Sequence, residues 1–370
     1  MSITAAHPVR IVGAGLAGAT VAHELRRAGR PVEVIEADAD WGGQLRTAAA
    51  AGILYEPTGA HIFHTADEEV WRLVNALVPM RPYRHRVRTE VFGRIMSWPP
   101  QLPELRELPQ WPAIERELAA RPDAPAGDNL EAWCIELMGE TLYREYIEGY
   151  TRKQWGCEPS ELAAVWAPRR IELREDGRLD LFRDPHQGWP EGGYRRLVDG
   201  LLRGVPVTLG TPVTVADWDE LCAGASAVVL TCALDEFFAD ALGPLAWRGV
   251  RFVHRWFPDA EHVLPAGVLN TPGLQHPHTR AIETKWMSGQ SGPGTMVSYE
   301  YPNAPERHYP VDDVQGTNRD LHRKYEKLLA QLPGPPRVLA GRLATYTYID
   351  MDQAMRQGIN VARRLLSAVG

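Results

Sequence analysis

The chain has 370 residues, more than one ordinary domain needs, and its 44% apolar and 24% charged residues exclude wholesale disorder. A net charge of −7 argues against a nucleic-acid partner, which calls for a basic domain or stripe. No run of apolar residues approaches the length needed to cross a bilayer, so no membrane span is expected.

Met1 to Pro8 lacks a basic segment leading into an apolar core, and a cytoplasmic enzyme is the expectation. Val9-Arg10-Ile11-Val12 then reads as a short buried strand, followed at once by Gly13-Ala14-Gly15-Leu16-Ala17-Gly18. An amphipathic helix is predicted from Ala19 to about Ala28, closed by Gly29. Val32-Glu33-Val34-Ile35-Glu36 reads as a second strand ending in an acid. A bare pair of glycines would say little. Strand, glycine turn, helix and strand-ending acid in this order point to dinucleotide binding, the alternative being a tight turn that only packs helix on strand. In that reading Gly13 permits the turn, Gly15 lets a pyrophosphate approach the backbone, and Gly18 lets helix and strand pack closely. The helix N-terminus offers free N–H groups to phosphate, and Glu36 would accept from ribose hydroxyls, which disfavours a 2′-phosphate.

Prolines crowd 99–125, which reads as a connection with short helices at most. Helices follow at Leu130 to Met138, stopped by Gly139, and at Glu140 to about Gly149. From 245 to 300 the pattern changes to aromatic and β-branched runs such as Val250-Arg251-Phe252-Val253, which suggest antiparallel strands. Lys324 to Leu332 reads as a helix, Arg337 to Gly341 as a buried strand, and Asp352 onward as a closing amphipathic helix. The four cysteines, Cys134, Cys157, Cys222 and Cys232, show neither zinc-ligand nor disulfide-framework spacing, so no metal is expected. Only four of the 40 basic residues are lysine, so a lone arginine carries little weight outside a motif.

Four segments carry motifs: Gly59-Ala60-His61-Ile62-Phe63-His64-Thr65, Gly149-Tyr150-Thr151-Arg152-Lys153-Gln154-Trp155-Gly156, Gln187-Gly188-Trp189-Pro190-Glu191-Gly192-Gly193-Tyr194, and Gly341-Arg342-Leu343 running to Tyr348-Ile349-Asp350-Met351-Asp352-Gln353. In order and spacing they resemble the prokaryotic UDP-galactopyranose mutases, and with the glycine fingerprint they span almost the whole chain. The resemblance implies an α/β fold. A Rossmann-like FAD-binding domain would use 1–80, 195–240 and 335–370. A helical insertion domain would use 99–168, and an antiparallel β-sheet substrate domain 81–98, 169–194 and 241–334. It also implies an isomerase that interconverts the pyranose and furanose forms of a nucleotide sugar through a flavin N5–sugar adduct, with FAD active when reduced and no net redox. A homodimer is left open.

Residue by residue, the resemblance gives Arg170 and Arg280 as diphosphate-binding arginines, suited by a fixed fork of donors. Tyr150 would stack on the base, with Thr151 and Trp155 beside it, and Asn270, Tyr309 and Tyr348 would bond the sugar or phosphates. His61 and His64 would line the flavin. Gly43, Arg342, Asp350 and Met351 would contact FAD, with Arg342 at the pyrophosphate. Departures from the family are Leu181 for a tyrosine, and Ser97 and Gln44 for asparagines. Asp38 and Asp40 also stand where basic residues are usual, an arrangement unfavourable beside FAD unless they face solvent. These departures suggest altered substrate preference, with UDP-, dTDP- and GDP-linked sugars all open. Two rivals stand beside this reading: an amine-oxidase-type flavin oxidoreductase, and a homologue that binds nucleotide sugar or isomerises it without flavin.

Overall fold

The structure, a computed structural model, describes residues 7–368, with the side chains of Trp166, Arg169 and Arg170 outside that description. Val9–Val12 lies at the centre of a five-stranded parallel sheet, flanked by Val32–Ile35 and Ala227–Leu230, with Val207–Thr208 and Arg337–Leu339 at the edges. Ala227–Leu230 is buried on both faces because helices cover both sides of the sheet, while Arg10 and Glu33 pair at 3.1 Å between Val9–Val12 and Val32–Ile35. Leu16–Arg27 crosses the closing helix Met351–Ser367, where a Cβ added at Gly358 would lie 2.8 Å from Thr20 Cβ. That glycine permits the close crossing. Both chain ends and the segment around 194–230 thus share one layer.

The first helix begins at Leu16, three residues earlier than predicted, since nothing in Leu16-Ala17-Gly18 prevents helical dihedrals once Gly15 is extended. A six-stranded sheet forms the second layer, in the order 247–257, 295–310, 280–282, 268–270, 87–91, 94–98. It departs from the antiparallel expectation at one place: Val268–Asn270 runs parallel to Val87–Val91, because the chain returns there from a distant segment rather than through a hairpin. A smaller sheet joins Phe63–Thr65 and Met80–Pro82 to either side of His186–Pro190.

Helices between 102 and 155 close on their own core of Ile114, Leu130, Cys134, Met138 and Leu142, all fully buried. The connecting region holds a ten-residue helix, Trp111–Ala120, longer than its prolines suggested because Pro112 sits in its first turn, where no N–H is missed. The helix expected to end at Gly149 continues to Trp155, after a π-helical turn at Arg144–Glu148. Gly149 serves proximity: a Cβ there would stand 2.5 Å from the Pro272 carbonyl oxygen. Continuation of this helix carries Tyr150, Thr151 and Trp155 onto the edge of the second layer.

Candidate active site

The glycine turn separates its three roles sharply. A Cβ at Gly13, which has φ +103°, would lie 2.1 Å from Thr231 Oγ1, and one at Gly18 would lie 2.0 Å from the Gly13 carbonyl oxygen. At Gly15 a Cβ would meet nothing within 4 Å. Packing therefore demands the first and third glycines, and the second leaves open space over the helix N-terminus. Glu36 braces the same turn. Its carboxylate accepts the Ala14 N–H at 2.6 Å and the Asp38 N–H at 3.0 Å, and it is not among the residues lining the cleft that Gly15 opens into. The expected conflict at Asp38 and Asp40 is not what the structure shows. Asp38 pairs with Arg46, Asp40 pairs with Arg195 at 2.6 Å, and both carboxylates face solvent with cations of their own.

Gly43, His61, His64, Arg342, Asp350 and Met351 line this first cleft together, as does Gln44. Arg342 is held by the His308 and Ile349 carbonyls at 3.1 and 2.7 Å. Asp350 opens the closing helix, where its N–H donates to Gln353 Oε1 at 3.0 Å. His64 stacks on Phe182 at 3.6 Å and 12°, and its Nδ1 lies 2.7 Å from Asp184, whose carboxyl the imidazole holds below its ordinary range. The His61 N–H donates to Glu56 at 2.8 Å.

A second cleft lies between the helical region and the six-stranded sheet. Tyr150, Thr151, Trp155, Asn270, Arg280, Tyr309 and Tyr348 all line it. Arg280 is gripped from its neighbouring strand: Nε and Nη2 each lie 2.7 Å from Oε2 of the buried Glu300, the residue directly opposite in register. That carboxylate raises the guanidinium still further above its usual value, although burial opposes the charge. Tyr309 and Tyr348 stack at 5.5 Å and 26°, with the Arg342 guanidinium 5.6 and 5.0 Å from the two rings. Burial pushes the Tyr150 phenol up to about 12, so it stays a neutral hydroxyl. Lys153 faces away from the cleft and donates to the carbonyls of Gly273, His276 and His278, tying the helix to the loop that leads into Arg280. Arg170 ends the short helix Ala167–Arg170, and its side chain lies outside the described residues.

The two clefts share a wall of six residues: His85, Leu181, Phe182, Arg280, Tyr309 and Tyr348. Two of these, His85 and Phe182, went unread in the sequence reasoning, which also passed over Glu300 and Gln154. His85 is driven down to about 3, first by burial and then by the Arg280 charge, so it is neutral there. Gln154 is buried in the second cleft and its Oε1 has no hydrogen-bond partner among the described residues. A signal existed for Gln154, which sits inside the quoted motif, and for Phe182 beside Leu181. Glu300 could be found only from strand register. Ser97 lies away from both clefts, its hydroxyl donating to Glu104 at 2.6 Å while accepting from Arg88 at 2.7 Å.

The comparisons with known proteins fall on the same two regions. A family model described as UDP-galactopyranose mutase matches residues 145–348, and one described as an NAD(P)-binding Rossmann-like domain matches residues 11–77. The dTDP-fucopyranose mutase of Escherichia coli is 29% identical over 96% of this chain and 97% of its own length. A UDP-galactopyranose mutase of Mycoplasma pneumoniae is 27% identical over 96% of this chain and 95% of its own. Among solved structures, a reduced UDP-galactopyranose mutase superposes with a TM-score of 0.81 at 16% identity, covering 98% of this chain and 96% of that one.

Proposed function

The chain belongs to the UDP-galactopyranose mutase family, and from that premise we propose that it interconverts an NDP-hexopyranose and its furanose form with FAD in the first cleft and the nucleotide sugar in the second. It is an isomerase of the pyranose–furanose mutase kind. The observation that carries the reading is the shared wall. Two clefts, one opening from the glycine turn and one lined by aromatic rings and an anchored arginine, meet at Arg280, Tyr309 and Tyr348.

The residues of the first cleft fit a flavin dinucleotide. Gly15 leaves the cradle a pyrophosphate needs, and Arg342 stands in the same cleft as a cation. The outer acids, each paired with its own arginine, do not oppose an anionic ligand, which removes the charge argument for a flavin-free homologue. When bound and reduced, FAD would supply the nucleophile for the anomeric carbon.

The chain's own part is to hold and polarise. Arg280, fixed by Glu300 through Nε and Nη2, keeps Nη1 for a diphosphate oxygen, and its charge offsets what develops as the glycosyl–phosphate bond breaks. Arg170 would add a second guanidinium. Tyr150 and Trp155 would hold the base by stacking, and the hydroxyls of Tyr309 and Tyr348 would donate to phosphate or sugar oxygens. The substrate is drawn from the class the relatives' names indicate, a UDP- or dTDP-linked hexose, with a GDP-sugar as the outer case. An amine-oxidase-type flavoenzyme would share the nucleotide fold. The mutase match covers 145–348, where the second cleft is built, and favours the isomerase.

The test is anaerobic incubation with UDP-galactose, dTDP-fucose and a GDP-hexose, with and without FAD and dithionite, read by chromatography. Furanose product that requires reduced FAD, with no electron acceptor consumed, is expected. Turnover that needs an acceptor points to the oxidase reading, and product without flavin points to the flavin-free one.

A further inference from the structure

The loop that carries Gly59, Ala60 and His61 along the first cleft is closed from beneath by a residue that none of the motifs includes. Glu56 has a side chain with no exposed surface, and its Oε2 accepts the His61 N–H at 2.8 Å, joining residues five apart. The same oxygen lies 3.5 Å from His61 Nδ1. Gly59 takes φ +141° inside this loop, and Thr58 Oγ1 donates to the Gln44 carbonyl at 2.5 Å. Glu56 Oε1, Tyr194 Oη and Trp189 Nε1 are buried and have no hydrogen-bond partner among the described residues.

We propose that Glu56 is a positioning residue for the cofactor cleft: its carboxyl fixes the 56–61 loop, and so the wall formed by Gly59, Ala60 and His61, in the shape that receives the ligand. The proposal rests on the reading that this cleft takes FAD. Without Glu56, the His61 amide becomes a part-buried donor that has lost its partner, and the loop gains by turning it elsewhere. The titratable groups that face Glu56 are His61 and Tyr194. Burial pushes the carboxyl up from its ordinary range against the influence of His61 and so favours its protonated form. Its raised value has a defined sign. Folding binds this proton more tightly, so the contribution of Glu56 to stability is complete below the ordinary carboxyl range and is lost as pH rises toward the folded value.

Glutamine keeps an acceptor for the His61 N–H and cannot ionise, whereas alanine removes the link. The experiment titrates FAD into full-length wild type, Glu56→Gln and Glu56→Ala, following the flavin absorption bands, with circular dichroism to verify folding and thermal unfolding from pH 5 to 8. Glu56→Gln is expected to bind within about twofold of wild type with an unchanged band shape, and folded Glu56→Ala roughly tenfold weaker or worse with altered bands. The Tm advantage of Glu56→Gln over wild type should widen as pH rises. Folded Glu56→Ala with wild-type affinity and bands overturns the proposal, as does Glu56→Gln behaving like Glu56→Ala. Wild-type protein that binds no FAD instead overturns the flavin reading, and the pH dependence of unfolding then still decides whether Glu56 fastens the loop.

Discussion

The first cleft opens at a turn where glycines let backbone come close, whereas the second gathers its polar side chains from a helix at 149–155, the strands 268–270, 280–282 and 295–310, and the 341–350 segment. The first depends on what is missing from its residues. Gly13 and Gly18 have no room for a Cβ, and Gly15 has room that a ligand can use. The second depends on groups that are present and fastened, such as Arg280 on Glu300 and the neutral Tyr150 hydroxyl. A backbone site is thus sensitive to any added atom, and a side-chain site to the loss of one partner in a buried pair.

The strongest challenge to this contrast is at the anchored arginine. Arg280→Ala should lower turnover by about 2–4 kcal/mol of transition-state stabilisation while FAD binding persists. It should also lower Tm, because it strands the buried Glu300. The double variant Arg280→Ala/Glu300→Gln should recover Tm but not turnover, as unfolding scans and anaerobic assays would show. Recovery of turnover would remove Arg280 from the chemistry.

The glycines offer the next test, because two nearby substitutions should part company. Gly18→Ala should cost about 1–3 kcal/mol of stability by overpacking against the Gly13 carbonyl. Gly15→Ala should leave urea unfolding nearly unchanged and weaken FAD binding. Equal effects on stability would show that the open space at Gly15 is not a ligand cradle.

A pH test probes the shared wall. His85, driven down to about 3 from an ordinary 6.5, takes up no proton in the folded state where the unfolded chain does. Stability should therefore fall as pH drops through that window, and His85→Asn should flatten the fall in Tm between pH 6.5 and 4. The smallest effect is expected at the cleft's outer rim. Asp38→Arg, placing a cation where the family usually has one, should change FAD affinity by less than about 1 kcal/mol, since Asp38 is exposed and already paired with Arg46.

How much was legible follows the same division. The glycine turn, the first helix and the two flanking strands could be read because local dihedral and packing demands write themselves into adjacent residues. The motif at 149–156 pointed to Tyr150 and Trp155, yet not to the helix that carries them, because the π-helical turn at 144–148 satisfies the backbone without any breaker residue. Glu300, His85 and Glu56 were passed over for a different reason. Each matters through a partner distant in sequence or through burial, and neither leaves a local pattern. The parallel pairing of 268–270 with 87–91 is likewise a product of the returning chain rather than of either strand.

The central claim is that the two clefts form one reaction centre at Arg280, Tyr309 and Tyr348. Titrating UDP and dTDP-fucose into the FAD-loaded protein while recording the flavin difference spectrum tests it most directly. A saturable spectral change is predicted, with the same midpoint as calorimetric binding, and it should be diminished in Tyr348→Phe. Calorimetric binding with a silent flavin spectrum would place the nucleotide sugar away from the cofactor and contradict the account.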